Sequence, residues 1–259
     1  MLFCQPSPTR FDLCFRLFGT DVRVHPLFWL IAVLLGWNLT LRPLLPGNGL
    51  GDLAVWVMVC FVSILLHEFG HIWMGQVFGS HGHILLYGMG GLAIGSTASR
   101  PWQRILIYAA GPGMQLLLFA ALHVALFVYP VVSPDTPKAV LLLLLLLWQV
   151  NLYWPLLNLL PIWPLDGGQI VREICVSASH QRGTLISLWI SLIVAAALAI
   201  NAFLAEGRTG RGFLPWWVPV GMYIGIFFTL FAVGSWQGIQ AEQERRRQHY
   251  SDELLPWER

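Results

Sequence analysis

Charge is scarce in this 259-residue chain: only 11% of its residues are Asp, Glu, Lys or Arg, against about a quarter in soluble domains. With 56% hydrophobic residues beside it, that shortage excludes an ordinary soluble domain and implies an integral membrane protein. Lysine is nearly missing, with Lys138 the single example among fifteen Lys and Arg residues. A net charge of +2 is too small to argue for nucleic acid as a partner. Cysteine is sparse as well. Cys4, Cys14, Cys60 and Cys175 form no CxxC pair and show no metal spacing, which argues against a disulfide framework and a thiolate metal site. Cys60 sits in an apolar run, where it reads as a small hydrophobe. No cleavable leader is expected, because the first apolar run starts near Leu27 and no A-x-A-like site follows it.

What the sequence does hold is a series of long apolar runs. His25-Pro26 opens the first, from Leu27 to about Leu41, and Pro26 suits a first helical position. The second, Leu53–Phe78, is 26 residues long and can cross a bilayer while tilted. The third, Ile105–Tyr129, contains Gly111-Pro112-Gly113, which predicts a kink or a local opening. The fourth starts at Ala139, turns polar at Gln149, Asn151 and Asn158, is predicted to break at Pro155, Pro161 and Pro164, and ends in Leu165-Asp166-Gly167-Gly168. The fifth is Thr184–Leu204 and the sixth Trp216–Trp236. Proline-rich turns are expected around Pro43 and Pro46 and around Pro130 and Pro134.

Between the second and third runs, Ile84–Tyr87 and Leu92–Ile94 flank Gly88-Met89-Gly90-Gly91, which predicts a β-hairpin over 83–95. The alternation in Phe11–Phe18 fits a short strand or an interfacial segment. The expected fold is therefore an all-α polytopic membrane protein with about six transmembrane helices and a small membrane-associated β-hairpin. Its organisation is an N-terminal arm (1–24), a six-span membrane domain (25–236) and a charged tail (237–259).

Six spans place both termini on one side. The arm, the 79–104 segment, the 165–183 segment and the tail hold eleven of the fifteen Lys and Arg residues; Arg42, Lys138, Arg208 and Arg211 lie on the other side. The positive-inside rule then puts both termini, the hairpin and Asp166 in or near the cytoplasm.

The second span carries His67-Glu68-Phe69-Gly70-His71. Residues four apart share a helix face, so His67 and His71 can grip one metal ion, while Glu68 can reach a metal-activated water. Zinc lowers the pKa of such a water to about 7, and a glutamate can take its proton and pass it to a leaving amine. The bland alternative is two core histidines and a glutamate facing a neighbouring helix. Against it, an ionisable group at bilayer depth costs roughly 2.5 kcal/mol or more unless paired. A catalytic zinc needs three protein ligands and an open position. Asp166 is the acidic residue beside an apolar span at matching depth, in an approach (Asn158 to Pro164) that unwinds the helix. Its alternative reading is a helix-terminating aspartate in a loop.

With these residues in order, the sequence resembles the site-2 protease family of intramembrane zinc metalloproteases. The resemblance rests on the HEFGH stretch, on Ala110-Gly111-Pro112, and on Asn158 through Gly168, and it covers roughly residues 25–185. It implies one zinc per chain held by His67, His71 and Asp166, with Glu68 as catalytic base and Asn158 holding the substrate or its oxyanion. Gln115 stands where the family often places an asparagine, and Trp163 where many members have another proline. The implied function is hydrolysis of a peptide bond in or near the transmembrane segment of a membrane-protein substrate, in the bilayer of a bacterial cell membrane. The hairpin would offer a strand edge to the unwound segment, or serve only as a connector.

Two other classes compete. A catalytically silent zinc-binding scaffold (a pseudoprotease) would usually lose the glutamate, which is present. A metal transporter would need charges in several spans, yet, Asp166 at the end of the fourth apart, Glu68 is the one acidic or basic residue, histidine aside, in spans two to six.

Overall fold

The computed structural model describes residues 6–41, 48–88, 90–95, 98–128, 136–206 and 221–253. The expected turns at Pro43 and Pro46 and at Pro130 and Pro134, together with Arg208, Arg211 and the start of the sixth run at Trp216, lie outside the described residues. Two compact units divide the chain at 157/158.

In the first unit, β1 (Leu13–Leu17) and β2 (Thr20–Val24) form an antiparallel hairpin. Its turn, Phe18-Gly19, has positive φ at both positions (48° and 78°). That mirror-image turn matches the twist of the flanking strands. The strand reading of Phe11–Phe18 therefore holds. After α1 (Pro26–Gly36), α2 (Asn38–Leu41) and α3 (Gly49–Val77), the chain returns as β3 (His83–Tyr87) and β4 (Gly90–Ile94). β3 pairs in parallel with β2, so the expected hairpin is half of a four-stranded sheet of order β1-β2-β3-β4. One face of that sheet (Val22, Val24, Ile84, Leu86) packs on Leu65, Phe69 and Ile72 of α3 and Phe28 of α1. These side chains are fully or almost fully buried, so the sheet is pinned against the helix that carries the HEFGH stretch.

α4 (Pro101–Val128) and α5 (Lys138–Asn158) complete the unit. Both continue as helix past prolines: Pro112 lies inside α4, where a kink or local opening was expected, and Pro155 inside α5, where a break was expected. Neighbouring helices and polar side chains can satisfy the backbone groups a proline frees, so such helices persist in apolar surroundings. α5 meets α3 through Val59, Leu142, Leu146 and Val150.

In the second unit, α6 (Asp166–Ala178), α7 (Gly183–Glu206) and α8 (Met222–Glu253) follow the unwound stretch after Asn158. Gly167 and Gly168 let the start of α6 press on that stretch. A Cβ on either would collide with backbone of Leu159 and Leu160 or of Ile162 and Trp163. The loop is pinned further by Trp163, whose backbone N–H donates to Ser191 Oγ at 2.8 Å, and Ser191 shares a 2.6 Å hydrogen bond with Ser235. The charged tail continues α8 as helix to Glu253, because it is rich in Glu, Gln and Arg and carries a Glu242–Arg246 pair at 3.0 Å.

Among the described residues, five helices (α3, α4, α5, α7 and α8) are long and apolar enough to cross a bilayer. The chain is an integral membrane protein. The first expected span is present as the shorter apolar stretch Pro26–Leu41. At 1.5 Å per residue it reaches about 24 Å, less than the ~30 Å hydrocarbon core.

Candidate metal centre

α3 places His67, Glu68 and His71 within one cluster whose ligand atoms all lie within 4.8 Å of each other, and all three are buried. The two imidazoles turn their Nε2 atoms towards each other, 3.1 Å apart. Two nitrogens on one tetrahedral zinc at about 2.05 Å each would stand ~3.3 Å apart, so the spacing suits a shared ion.

The opposite ring nitrogens are both occupied. His67 Nδ1 faces Gln115 Oε1 at 2.9 Å and His71 Nδ1 faces the Ile107 carbonyl at 2.7 Å, both on α4. Each partner is an acceptor, so each imidazole donates from Nδ1 and leaves the Nε2 lone pair for a metal. Gln115 is itself held, its Nε2 donating to the Ser63 carbonyl at 3.2 Å. Asn151 on α5 donates to Ser63 Oγ at 2.9 Å and to the Leu147 carbonyl at 2.8 Å. A buried chain of amides and a hydroxyl thus ties α3, α4 and α5 together behind the histidines.

Glycine provides the room. A Cβ on Gly70 would meet the Ala110 carbonyl and, at 2.9 Å, the Cα of Gly111, so the two glycines let α3 and α4 cross backbone to backbone. A Cβ on Gly111 would strike His71 Nε2 and lie 2.9 Å from His67 Nε2, filling the space where an ion would sit. On the other side, a Cβ on Gly91 of β4 would collide with the Glu68 side chain, with Oε1 at 2.5 Å. A zinc ion fits this donor set: two oriented imidazoles, a carboxylate beside them, and a cradle kept empty by glycine.

Asp166 is the first residue of α6 and Asn158 the last of α5; both belong to the second unit. His25 caps α1, its Nδ1 accepting from the Leu27 N–H at 3.1 Å, and His123 stacks on Phe119, so both have structural roles. Sequence reasoning missed the orienting chain through Ser63 and Asn151. The signal was there in outline: Ser63 lies one helical turn before His67, and Gln115 and Asn151 are amides in apolar spans. Removing the acceptor with Gln115→Leu is expected to weaken zinc binding about 10–100-fold, read by chelator competition, with Gln115→Asn retaining part of it. Unchanged affinity in Gln115→Leu would show that this hydrogen bond does not orient His67.

Comparison with known proteins agrees with this geometry. The profile of peptidase family M50 matches residues 130–200, the segment containing Asn158 and Asp166. A candidate zinc metalloprotease of Synechocystis sp., sll0528, is 26% identical over 260 residues, covering 93% of this chain and 63% of its own length. Another of Mycobacterium tuberculosis, Rip3, is 32% identical over 226 residues, covering 78% of this chain and 55% of its own. This chain thus spans between half and two thirds of the length of these relatives. A solved structure, the site-2 protease from Methanocaldococcus jannaschii, shares the fold with a TM-score of 0.57 at 20% identity, over 88% of this chain and 95% of that one. Residues 130–200 therefore carry a match to peptidase family M50, and the chain as a whole is similar to these zinc metalloproteases and has the fold of a site-2 protease.

Proposed function

We propose that this protein is an intramembrane zinc endopeptidase that cleaves a membrane-protein substrate in or near its transmembrane segment. The observation that carries the reading is the pair of facing Nε2 atoms, 3.1 Å apart, each imidazole fixed from behind, with Glu68 alongside. His67 and His71 would hold the ion, and Asp166 at the start of α6 would be the third ligand. A zinc ion there supplies a Lewis acid and an acidified water. Glu68 accepts a proton from the attacking water and delivers it to the leaving amine. Asn158 donates its amide N–H to the developing oxyanion. The retention of Glu68 disfavours the silent scaffold.

A helical substrate hides its carbonyls, so it must be unwound before attack. β4 ends the sheet, and β3 is interior, paired on both sides. Of the two hairpin strands, β4 is therefore the one that can offer an edge. With Tyr87 and Gly90 paired across a two-residue turn, the inward hydrogen bonds alternate. Gly91 and Ala93 then point their N–H groups outward, and Gly91 lies against Glu68. Proline at Leu86, in the interior strand, would test folding; proline at Ala93 tests the edge. Residues 25–236 would act as one membrane domain of a bacterial cell membrane. Both termini are cytoplasmic in this reading, which requires Pro26–Leu41 to cross as one span.

The test is reconstitution with a single-span substrate. Wild-type protein should carry about one zinc per chain and cleave. Asp166→Ala should lose both, and Ala93→Pro should keep zinc but lose most cleavage of a stable helix. Full zinc and full activity in Asp166→Ala would remove Asp166 from the ligand set.

A further inference from the structure

Within the second unit, a cavity of about 460 Å³ opens between α6, α7 and α8, far along α8 from its apolar start. Its lining includes Arg172 of α6, Thr184 of α7, Arg245 and Glu242 of α8, and Trp163. We propose that this cavity binds the phosphate of an anionic phospholipid headgroup.

The charge arithmetic favours an anion. Glu242 is the acidic residue of the lining, and it is engaged by Arg246, whose Nη2 lies 3.0 Å and Nε 3.1 Å from Oε1. Arg172 and Arg245 have no hydrogen-bond or ion-pair partner among the described residues. Two guanidiniums therefore face a cavity whose carboxylate is already neutralised. A guanidinium presents a planar fork that matches phosphate oxygens, and Thr184 adds a hydroxyl.

The position favours a lipid. The rings of Trp189 on α7 and Trp236 on α8 meet edge to face at 6.2 Å. Tryptophan concentrates at the membrane–water boundary, and here the apolar part of α8 lies on one side of this pair and its charged part on the other. Along α8, Arg245 stands about 13 Å beyond Trp236, and along α7, Thr184 stands about 7 Å beyond Trp189 in the same direction. The cavity thus occupies the level of the headgroups. Gly238, Ala241 and Arg245 form one stripe of α8, with small residues leaving the cavity open beneath the guanidinium. α6 carries exposed Ile174 on the same helix as Arg172, the mixed character of a segment lying at an interface.

The inference is independent of the proteolytic reading and is tested without it, on the full chain purified in a zwitterionic detergent. Dioctanoyl phosphatidylglycerol is titrated while thermal unfolding or native mass spectrometry reports binding. Dioctanoyl phosphatidylcholine, glycerol phosphate and inorganic phosphate are titrated in parallel. The expected result is binding of phosphatidylglycerol at least tenfold tighter than of the other three. It should weaken at least tenfold in the Arg172→Gln/Arg245→Gln double variant and stay unchanged in Arg247→Gln, an exposed tail arginine outside the cavity. Ala241→Phe, which fills the cavity and keeps both charges, should weaken binding equally and serves if the double variant does not fold. Unchanged binding in these variants overturns the site. Equal binding of inorganic or glycerol phosphate assigns the cavity to a soluble phosphate and overturns the lipid, as does equal binding of phosphatidylcholine.

Discussion

Exchange of Glu68 for glutamine is expected to leave zinc content at about one per chain and to lower peptide-bond cleavage about 10²–10⁴-fold, the usual worth of a positioned acid–base group. Glutamine keeps the size and the hydrogen-bonding reach of the side chain but cannot carry a proton between water and the leaving amine. It also keeps the contact with Gly91, so the fit of β4 over α3 is preserved. His67→Ala and His71→Ala should behave differently, losing metal and activity together, because each removes a donor atom and breaks a hydrogen bond to α4. Metal analysis beside a cleavage assay separates the two classes. If Glu68→Gln cleaved at the wild-type rate, Glu68 would not be the base, and the catalytic reading of the whole cluster would fall.

The second large effect should come from a single added methyl group. Gly111→Ala introduces a Cβ that strikes His71 Nε2 and sits 2.9 Å from His67 Nε2. Neither ring can swing away freely, since both are held at Nδ1 by α4 itself, through Gln115 and the Ile107 carbonyl. α4 itself should tolerate the change, because alanine stabilises a helix relative to glycine by about 1 kcal/mol. The expectation is native helix content by circular dichroism with zinc affinity lowered at least tenfold to a hundredfold, as when a ligand's orientation is lost. Wild-type zinc affinity in Gly111→Ala would mean that the ion does not sit between these two nitrogens and α4.

The helices were legible because hydrophobic length is a local property. α3, α4 and α7 begin and end within a few residues of the expected runs, and α5 begins where the fourth was expected and ends at Asn158, before its expected close at Asp166. The β3–β4 hairpin was legible for a similar reason, a two-residue turn between short apolar strands. Its partners were not. Val22 pairs with Ile84 in a parallel ladder across sixty residues of intervening chain, and no local pattern encodes such a pairing. α6 was hidden by Asp166-Gly167-Gly168, which reads as a helix breaker. The helix forms there because the glycines allow its first turn to pack on the loop before it. Pro155 misled in the opposite sense: it read as a break, and α5 continues through it.

The sequence by itself determined that the chain lives in a membrane, and which residue types could hold a metal. His67, Glu68 and His71 are joined by helical spacing alone, and their cost in apolar surroundings made the motif informative. Tertiary structure decided how those residues are held. Gln115 and Ile107 reach the histidines from another helix, Ser63 and Asn151 brace Gln115, and Gly111 and Gly91 keep the space beside the imidazoles and Glu68. These are contacts between residues 36 to 88 positions apart in the chain, or tolerances measured in tenths of an ångström. Periodicity can announce a face of a helix, but only packing determines what that face meets.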